Sequence, residues 1–570
     1  MTPRASRHLG LGVFAAALLF FAAGLPGRGL WHVDENRYAE VARVMSLPGA
    51  DRVVPHLNGQ VYPEKPPGFF WAVALGHAGL GLDLPLAARL PSVLGAALAV
   101  LAVFGVGRRL YGPSAGLAAA LALAGTEALD NLAGRGQLDA FLTGFTTLAV
   151  WAWAEGAFAA RSPAARRTCY AAACGLAGLG VLVKGPVAMM VPGAAILAAR
   201  LAEDGLRALR SPWVLAAPLL SLLPVSLWLA AATADAGRAY FDLIVLGRAI
   251  GHPLGHKDKV HPLWFYLGVF PVGALPWTSL LPAGWLALTG WRRPGERAAD
   301  RFALAWLLVP LALFSLFPAK RNLYLTPVYP AVALWMGRLA RDLLEAPAAG
   351  SAARLRHPAV TWGVRPPAVA ALLVGAGALA GALVLPFASG SLARAVPAWE
   401  VMRSAATPGR LLLAGLLGVA TAAGAATALR LASARAVAGG LAAASLGVAL
   451  LSAAVLAPLQ DPAVNAQRFV QRIAPLVGDA PIADYAGGAN FVLNWALRRE
   501  VVPIVKDRAA ADRFVAEHAG APVFLLVDRP DLAAEGVPDG LAELVAWRRP
   551  LDKDLILLGR PGTPLPPSSR

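Results

Sequence analysis

Long apolar runs dominate the pattern of this chain, and short charged segments separate them. About thirteen of these runs have the length and composition of a helix that crosses a bilayer. They lie near residues 9–27, 86–107, 113–130, 138–156, 168–183, 186–201, 213–232, 263–289, 302–318, 323–340, 367–388, 409–429 and 436–457. Residues 67–82 form a shorter, interrupted apolar run, which favours a position in or on the membrane interface. The pattern therefore predicts an all-α polytopic membrane domain over residues 1–459.

The pattern changes after about residue 460. The stretches "PIADYA", "VVPIV", "APVFLLVD" and "DLILLG" are typical of short strands, and "AVNAQRFVQRIAPL" and "RAAADRFVAEHAG" are typical of helices. Alternating strands and helices indicate a parallel arrangement. Residues 460–570 are therefore predicted to form a small soluble α/β domain with a mostly parallel sheet.

Composition and charge agree with a membrane protein. Of 570 residues, 57% are hydrophobic and only 15% are charged, whereas a soluble protein carries nearer a quarter charged residues. A net charge of +17 would suggest nucleic acid as a partner of a soluble protein. Here much of the excess lies in short loops between apolar runs, as in cytoplasmic loops of membrane proteins. The composition thus argues against a large soluble protein and against a nucleic-acid partner.

The arginines also predict the topology. They recur in the N-terminal segment and in alternate loops, and by the positive-inside rule that side is cytoplasmic. The residues concerned are Arg4, Arg7, Arg108, Arg109, Arg161, Arg166, Arg167, Arg207, Arg210, Arg292, Arg293, Arg297, Arg301, Arg338, Arg341, Arg354, Arg356, Arg430 and Arg435. The first run is interpreted as an uncleaved anchor, because no small-x-small cleavage site follows it. Loop 28–85 and the C-terminal domain then lie on the outer, periplasmic face of a bacterial inner membrane.

The segment "WHVDENRYAE" opens the long outer loop with a cluster of charges. Tyr38, Val41, Ala42 and Met45 are spaced as one apolar stripe, which predicts a short helix lying flat in the interface. Asp34 stands at its N-terminal end, where backbone N–H groups favour an anion. From this position alone, Asp34 is either a helix cap or a chemical group.

Further charges mark other outer corners of the membrane domain. A charge near the bilayer centre costs roughly 2.5–3.5 kcal/mol on insertion scales, so these side chains are expected to face a cavity or the aqueous edge. Cations beside a membrane suit a lipid phosphate, and a neighbouring carboxylate suits acid/base or electrostatic catalysis. The residues are Glu64 and Lys65 before Pro66 and Pro67, Asp139, Lys184, and Lys320, Arg321 and Tyr324 in "FPAKRNLYLTPVYP".

Cysteine and histidine provide no recognisable metal motif. Cys169 and Cys174 lie within or beside one apolar segment and are interpreted as packing residues. Five histidines fall on the predicted outer side, but their spacing matches no metal site, so they are interpreted as solvated loop residues. They are His32, His56, His252, His256 and His261. No cofactor is predicted, and a divalent metal has no motif to support it.

Four segments carry a resemblance to a known family. "VDENRYAEVAR", "LNGQVYPEKPPGFFW", "VKGP" and "AKRNLYLTPVYP" resemble the bacterial aminoarabinose transferases of lipid A and, more distantly, protein O-mannosyltransferases. The resemblance is strong over residues 9–340 and extends to the remainder only in layout. It implies a C-type glycosyltransferase fold, an undecaprenyl-phosphate-linked sugar as donor, and inversion at the anomeric carbon.

The resemblance also implies roles for individual residues. Asp34 matches the essential acidic residue of the first outer loop, and Glu64 belongs to the Glu-Lys pair before the double proline, so both are expected to be catalytic. The other matched positions are expected to bind donor or acceptor: Glu35, Arg37, Tyr38, Tyr62, Lys65, Asp139, Lys184, Lys320, Arg321 and Tyr324. Whether Asp34 acts as a base or as an electrostatic stabiliser stays open.

Several functions compete at this point. The leading interpretation is sugar transfer from undecaprenyl phosphate to lipid A or a related glycolipid, and the runner-up is transfer to protein hydroxyls. A lipid or sugar transporter is the alternative from another class, but such proteins often show inverted repeats, and none is visible by eye. A structural membrane subunit would leave the outer charge clusters unexplained.

Overall fold

Helices account for most of the chain in the computed structural model, which describes residues 3–26, 28–31, 33–251, 260–291, 293, 295–387, 399–487, 491–549 and 552–563. Within these residues, six helical segments are long and apolar enough to cross a membrane, and a bent pair would make a seventh. The six are Leu84–Tyr111, Trp213–Ala236, Arg297–Leu316, Pro358–Val384, Pro408–Leu429 and Ala434–Val477, the last of which includes a π-helical turn and a break.

Every predicted apolar run overlaps a helix. The remaining runs correspond to helices that are shorter or carry more charge: Pro3–Ala22, Pro113–Ala124, Leu138–Phe158, Pro163–Lys184, Val187–Asp204 and the 3₁₀ turn Asn322–Val328 with Tyr329–Leu344. Shorter helices connect them: Glu127–Ala133, Arg238–Asp242, Ala348–Leu355, Trp399–Ala405 and Ala457–Val464. The π-helix Leu243–Gly251 follows Arg238–Asp242 directly.

One predicted span, 263–289, is broken. Phe265–Gly273 and the helical segment Trp277–Thr289 meet at an angle of 103°. Pro276 lies in the break, and proline cannot donate a backbone hydrogen bond to continue a helix. Apolar composition alone does not reveal such a break, because the run stays hydrophobic throughout.

Helix Leu84–Tyr111 packs closely against helix Leu138–Phe158. A Cβ atom on Gly95 would come within 2.3 Å of the Phe141 Cα atom, and one on Gly144 would come within 2.7 Å of the Gly95 carbonyl oxygen. Small residues allow this approach of two backbones, as is common between membrane helices. The contact holds the N-terminal end of Leu138–Phe158, which carries Asp139, at a fixed place.

The long loop contains its own small structure. It comprises helix Val33–Met45, here called the loop helix, a hairpin of strands β1 (His56–Leu57) and β2 (Gln60–Val61), and helix Gly68–Ala74 continued by the π-helix Leu75–Gly79. The apolar stripe of the loop helix does not face lipid, since eleven of the thirteen residues of this helix are buried in the protein. The C-terminal segment packs against the helix, and Arg43 donates to the Arg499 carbonyl oxygen at 2.9 Å.

The C-terminal segment contains a five-stranded sheet. Its strands are β3 (Ile482–Tyr485), β4 (Ile504–Val505), β5 (Phe524–Asp528), β6 (Ala542–Trp547) and β7 (Leu555–Gly559), in the order β4-β3-β5-β7-β6. The accompanying helices are Ala466–Val477, Val492–Ala496, Arg508–Glu517 and Arg529–Glu535. The prediction of a mostly parallel sheet needs correction: β3 is parallel to β4 and β5, but β7 is antiparallel to β5 and β6. Strand β6 was not predicted, and its short link to β7 allows only antiparallel pairing.

The C-terminal sheet and the long loop share one apolar core. Tyr38 and Phe69 of the loop belong to the same buried cluster as Phe469, Leu526 and Leu557 of the C-terminal segment. A boundary near residue 460 therefore describes a change in composition, and packing continues across it. The shared core places the C-terminal segment directly behind the loop helix.

Candidate active site

A cavity of about 380 Å³ lies where the long loop meets the ends of several membrane helices. Eight of the residues singled out in the sequence line it: Asp34, Tyr38, Glu64, Lys65, Asp139, Lys184, Arg321 and Tyr324. These residues come from four separate parts of the chain. Folding therefore collects three carboxylates and three cations around one space.

Asp34 sits in the first turn of the loop helix and is almost fully buried, with 4% of its surface exposed. The helix begins at Val33, so Asp34 lies inside the first turn and not at the cap position. Arg37, one turn further along, donates a hydrogen bond to the Asp34 carboxylate, and its guanidinium lies 5.7 Å from the centre of the Tyr38 ring. Arg37 does not itself line the cavity, but it orients the carboxylate that does.

Glu35 was predicted among the substrate-binding residues, but unlike its neighbour Asp34 it does not line the cavity. Its side chain is completely buried and accepts hydrogen bonds from the backbone of Trp31 (3.0 Å) and Gly136 (2.9 Å). The guanidinium groups of Arg28 and Arg89 lie 3.6 and 3.5 Å from its oxygens. Consecutive residues on a helix point about 100° apart, so Glu35 anchors the loop helix while Asp34 faces the cavity.

Replacing Glu35 by glutamine is expected to destabilise the fold. The change leaves Arg28 and Arg89 without their counter-charge, and breaking a buried ion pair by removing one partner costs about 3–5 kcal/mol. Thermal unfolding in detergent, compared with Asp34→Asn, measures the difference. A Glu35→Gln variant as stable as the wild type would contradict the anchoring role.

Lys184 and Asp139 form an ion pair across the cavity. Lys184 is the last residue of helix Pro163–Lys184, and its ammonium group bonds the carboxylate of Asp139. Asp139 lies in the first turn of helix Leu138–Phe158, where an anion is stabilised by the helix dipole. The Lys184 nitrogen also lies 5.0 Å from the centre of the Tyr324 ring. Two charges predicted at separate corners thus form one unit.

Lys65 is held next to this pair by the rigid segment Pro66–Pro67. Burial, followed by the positive charge of Lys184, lowers the pKa of Lys65 to about 8, compared with about 10.4 for an exposed lysine. Lys65 is therefore positively charged at neutral pH but loses its charge in mildly alkaline solution.

Besides Glu35 and Arg37, two further predicted residues lie outside the cavity lining. Lys320 is buried, and its ammonium group donates to the His261 carbonyl oxygen at 2.9 Å. Tyr62 packs edge-on against Phe70, with ring centres 5.9 Å apart. Arg321 has an extended backbone, in which neighbouring side chains point to opposite sides. This geometry explains why Arg321 lines the cavity while Lys320 secures the segment behind it.

Apolar residues also line the cavity, and the sequence did not single them out. They are Leu138, Val187, Met190, Ile244, Phe314, Phe317, Ala319 and Leu323. Each lies in or beside an apolar run, so its residue type carries no signal of a site. The lining of the cavity thus combines charged and apolar side chains.

Neither of the two outer histidines that the structure describes lines the cavity. His56 bonds the Val54 carbonyl oxygen at 2.9 Å, and His261 stacks on Phe265 with ring centres 4.2 Å apart. His32, His252 and His256 lie outside the described residues. Among the residues that are described, no group of three His, Cys, Asp or Glu side chains is arranged to hold a metal ion.

The fold is similar to that of the solved ArnT structures. The crystal structure of ArnT from Cupriavidus metallidurans in the apo state superposes with a TM-score of 0.72 over 97% of this chain and 98% of that one, at 21% identity. The structure of the same protein bound to undecaprenyl phosphate gives a TM-score of 0.71 over 98% of both chains. At this identity the likeness establishes the fold alone.

Sequence relatives confirm the resemblance seen in the motifs. An undecaprenyl phosphate-alpha-4-amino-4-deoxy-L-arabinose arabinosyl transferase of Pseudomonas aeruginosa (strain LESB58) is 37% identical over 328 residues, which is 56% of this chain and 57% of the relative. The corresponding enzyme of Edwardsiella ictaluri is 33% identical over 57% of this chain and 58% of the relative. The similarity thus spans less than two thirds of these relatives. The family model of dolichyl-phosphate-mannose-protein mannosyltransferases matches residues 64–230.

Proposed function

We propose that this chain is an inverting glycosyltransferase that moves a sugar, aminoarabinose or a similar one, from undecaprenyl phosphate to lipid A or a related acceptor. The observation that carries the proposal is the cavity itself, which is lined by three cations, three carboxylates and a set of apolar side chains. The names of the curated relatives support the same donor and sugar.

The lining of the cavity suits the two parts of a lipid-linked donor. Met190, Phe314 and Phe317 offer the apolar surface that a prenyl chain requires. Lys65, Lys184 and Arg321 offer positive charge to the phosphate, and cation–phosphate contacts are among the stronger hydrogen bonds in proteins. A soluble nucleotide sugar would leave the apolar lining residues without a partner.

The chemistry requires little proton transfer at the leaving group. The bond between the anomeric carbon and the phosphate oxygen breaks, the electron pair stays on the phosphate, and an acceptor oxygen forms the new bond from the opposite face, which gives inversion. Phosphate is a stable anion, so cations can stabilise its developing charge without an acid. The cations and carboxylates that line this cavity meet these requirements.

Asp34 and Glu64 are the proposed catalytic carboxylates. With a hydroxyl acceptor, Asp34 takes the proton as the new bond forms. With an ionised phosphate of lipid A as acceptor there is no proton to take, and Asp34 then stabilises positive charge on the sugar. Glu64 faces the same space from the segment before the double proline, and we assign it to the sugar side of the reaction.

We propose that no resident divalent metal is needed. Three protein cations already face the site assigned to the phosphate. They stabilise its negative charge, as a metal ion does in other phosphate chemistry. Turnover is therefore expected to persist in the presence of a chelator, which purified enzyme with added and withheld Mg²⁺ would check directly.

We further propose thirteen membrane spans, a cytoplasmic N-terminus, and a periplasmic position for the cavity and residues 460–570. The alternating arginine-rich loops support this arrangement. In the proposed topology, Gln60 lies outside and Ala164 lies in the cytoplasm, and both are exposed in the structure.

Cysteine labelling tests the topology. In a background without Cys169 and Cys174, Gln60→Cys is expected to react with a membrane-impermeant reagent applied outside the inner membrane, whereas Ala164→Cys is expected to react only after the membrane is permeabilised. The reverse pattern would overturn both the topology and the outer position of the site.

Transfer to protein hydroxyls is the second candidate. The observation in its favour is the match of residues 64–230 to the mannosyltransferase family model. That region carries Glu64, Lys65, Asp139 and Lys184, which serve the donor in either case, so the match does not distinguish the acceptors.

Direct assay tests the proposal. Purified protein supplied with undecaprenyl-phosphate aminoarabinose and lipid A is expected to yield modified lipid A by mass spectrometry, and a strain that lacks the gene is expected to lose that modification. Modified proteins with unchanged lipid A would favour the second candidate. Movement of the lipid-linked sugar across the membrane without transfer would favour a transporter and refute both.

The pH dependence of donor use follows from Lys65. Its pKa of about 8 lies below the value for an exposed lysine, so the cation is present below pH 8 and is lost as the pH rises through 8. The kcat/KM for the donor is therefore expected to fall by up to about tenfold for each pH unit above 8. Lys65→Arg stays protonated and is expected to retain activity to higher pH. If kcat/KM falls over the same alkaline pH range in the wild type and in Lys65→Arg, Lys65 is not the group whose charge sets the decline.

A further inference from the structure

The C-terminal segment touches the loop helix through a buried hydrogen bond. The indole nitrogen of Trp495 donates to the side-chain oxygen of Asn36 at 3.1 Å, and the two residues are 7% and 4% exposed. Asn36 is two positions after Asp34, which on an α-helix is a rotation of about 200°. The bond therefore holds the helix face that lies roughly opposite the catalytic carboxylate.

A second contact fixes the other end of the same helix. The Arg43 guanidinium bonds both oxygens of Glu40, at 2.7 and 2.8 Å, and donates to the Arg499 carbonyl oxygen at 2.9 Å. Both Arg43 and Glu40 are buried. One turn of the C-terminal segment, residues 495–499, thus contacts the loop helix near its start and near its end.

Hydrogen bonds also hold the long loop on either side of the loop helix. Beyond it, the Asn58 side chain exchanges two hydrogen bonds with the backbone of Val502, at 2.7 and 2.9 Å. Before it, Asp461 accepts from the Gly29 backbone at 2.6 Å and from the Trp31 indole at 2.8 Å. A Cβ atom on Gly29 would lie 2.0 Å from Asn465, so the chain passes close against this anchor.

We propose that the C-terminal segment is a positioning element of the active site, and that Trp495, acting through Asn36, sets the rotation of the loop helix and hence the place of the Asp34 carboxylate. The inference rests on the proposed function, because it assumes that Asp34 acts in transfer. Trp495 is a positioning residue: it does not line the cavity and acts only through the helix. Small displacements of a reacting group are costly, since about 1 Å can lower a rate roughly a hundredfold.

The test replaces Trp495 by phenylalanine, which keeps an aromatic ring and removes the hydrogen-bond donor. We expect kcat to fall about tenfold, with the donor KM within about twofold of wild type and an unchanged melting temperature. Trp547→Phe is the matched control, since Trp547 stacks on Phe469 in the same segment, and it is expected to leave kcat unchanged. Asn36→Ala combined with Trp495→Phe should lose no more than the worse single variant.

Hydrogen–deuterium exchange gives a readout that does not depend on activity. Amides of residues 34–45 are expected to exchange faster in Trp495→Phe than in wild type and Trp547→Phe, with the other helices unchanged. Unchanged exchange and kcat, or multiplicative losses in the double variant, would overturn the positioning role. Should Trp495→Phe not accumulate, Asn36→Ala decides the same question. A wild-type protein without transfer activity would refute the proposed function alone, because the exchange result stands by itself.

Discussion

Asp34→Asn is expected to lower kcat by at least about a hundredfold, within the 10²–10⁴ range typical of a lost acid–base group, while expression and thermal stability stay close to wild type. Asparagine keeps the size of the side chain and an oxygen that can accept from Arg37. It has neither a negative charge nor a basic site, so it can neither take a proton nor stabilise positive charge on the sugar. The measurement is single-turnover transfer by purified protein.

A matched change at another helix start separates chemistry from helix capping. Asp507 caps helix Arg508–Glu517, where its side chain accepts from the Ala510 backbone N–H at 2.8 Å, and it does not line the cavity. Asparagine is about as good a cap as aspartate, so Asp507→Asn is expected to be fully active. Near-normal transfer by Asp34→Asn would reduce Asp34 to a structural residue and leave Glu64 or Asp139 as the next candidates.

The membrane helices could be predicted from the sequence because long apolar runs have few alternatives. A helix in lipid satisfies its own backbone hydrogen bonds, so composition and length suffice to locate it. The break in 263–289 and the burial of the loop helix could not be predicted in this way. Both depend on what packs against the segment, and the cover of the loop helix is supplied by residues more than 400 positions away.

The residue types of the candidate site could be predicted from the sequence, but the direction in which each side chain points could not. Asp34 and Glu35 are adjacent acidic residues, and Lys320 and Arg321 are adjacent cations. In each pair only one lines the cavity, because the backbone turns the other toward the protein. A sequence motif contains both members of each pair and does not show which of them faces the cavity. Nothing in the sequence indicated the apolar residues that line the cavity, since Phe314 or Met190 looks like any other residue of a membrane helix.

The C-terminal sheet, too, could be predicted from the sequence only in part. Four of its five strands could be recognised from the sequence, but pairing direction depends on how the links run. The segment also matched no familiar pattern beyond layout, so its contacts with Asn36 and Arg43 could only be found in three dimensions. These contacts make a segment of unassigned role part of the site architecture.

Removal of Lys184 or Arg321 is expected to have the other large effect. Both side chains line the cavity together with Lys65, and in the proposed reaction each supplies positive charge to the leaving phosphate. Loss of a comparable oxyanion stabiliser lowers turnover about 10²–10³-fold. Lys184→Ala and Arg321→Ala are therefore expected to fall in this range with the protein still folded, as measured by purified transfer assays and thermal unfolding.

The ion pair with Asp139 requires one more variant. Lys184→Ala alone leaves the Asp139 carboxylate without its partner, so a loss of activity has two explanations: a missing cation or a repulsive anion. Lys184→Ala with Asp139→Asn removes both charges together. If the cation acts on the phosphate, the double variant stays about as slow as Lys184→Ala, whereas recovery would show that the bare carboxylate was the cause. Arg238→Ala is the control, because the exposed Arg238 guanidinium donates to the Asp242 carboxylate at 3.0 Å and does not line the cavity, and it is expected to keep wild-type turnover. Wild-type turnover in both Lys184→Ala and Arg321→Ala would mean that the phosphate is bound elsewhere.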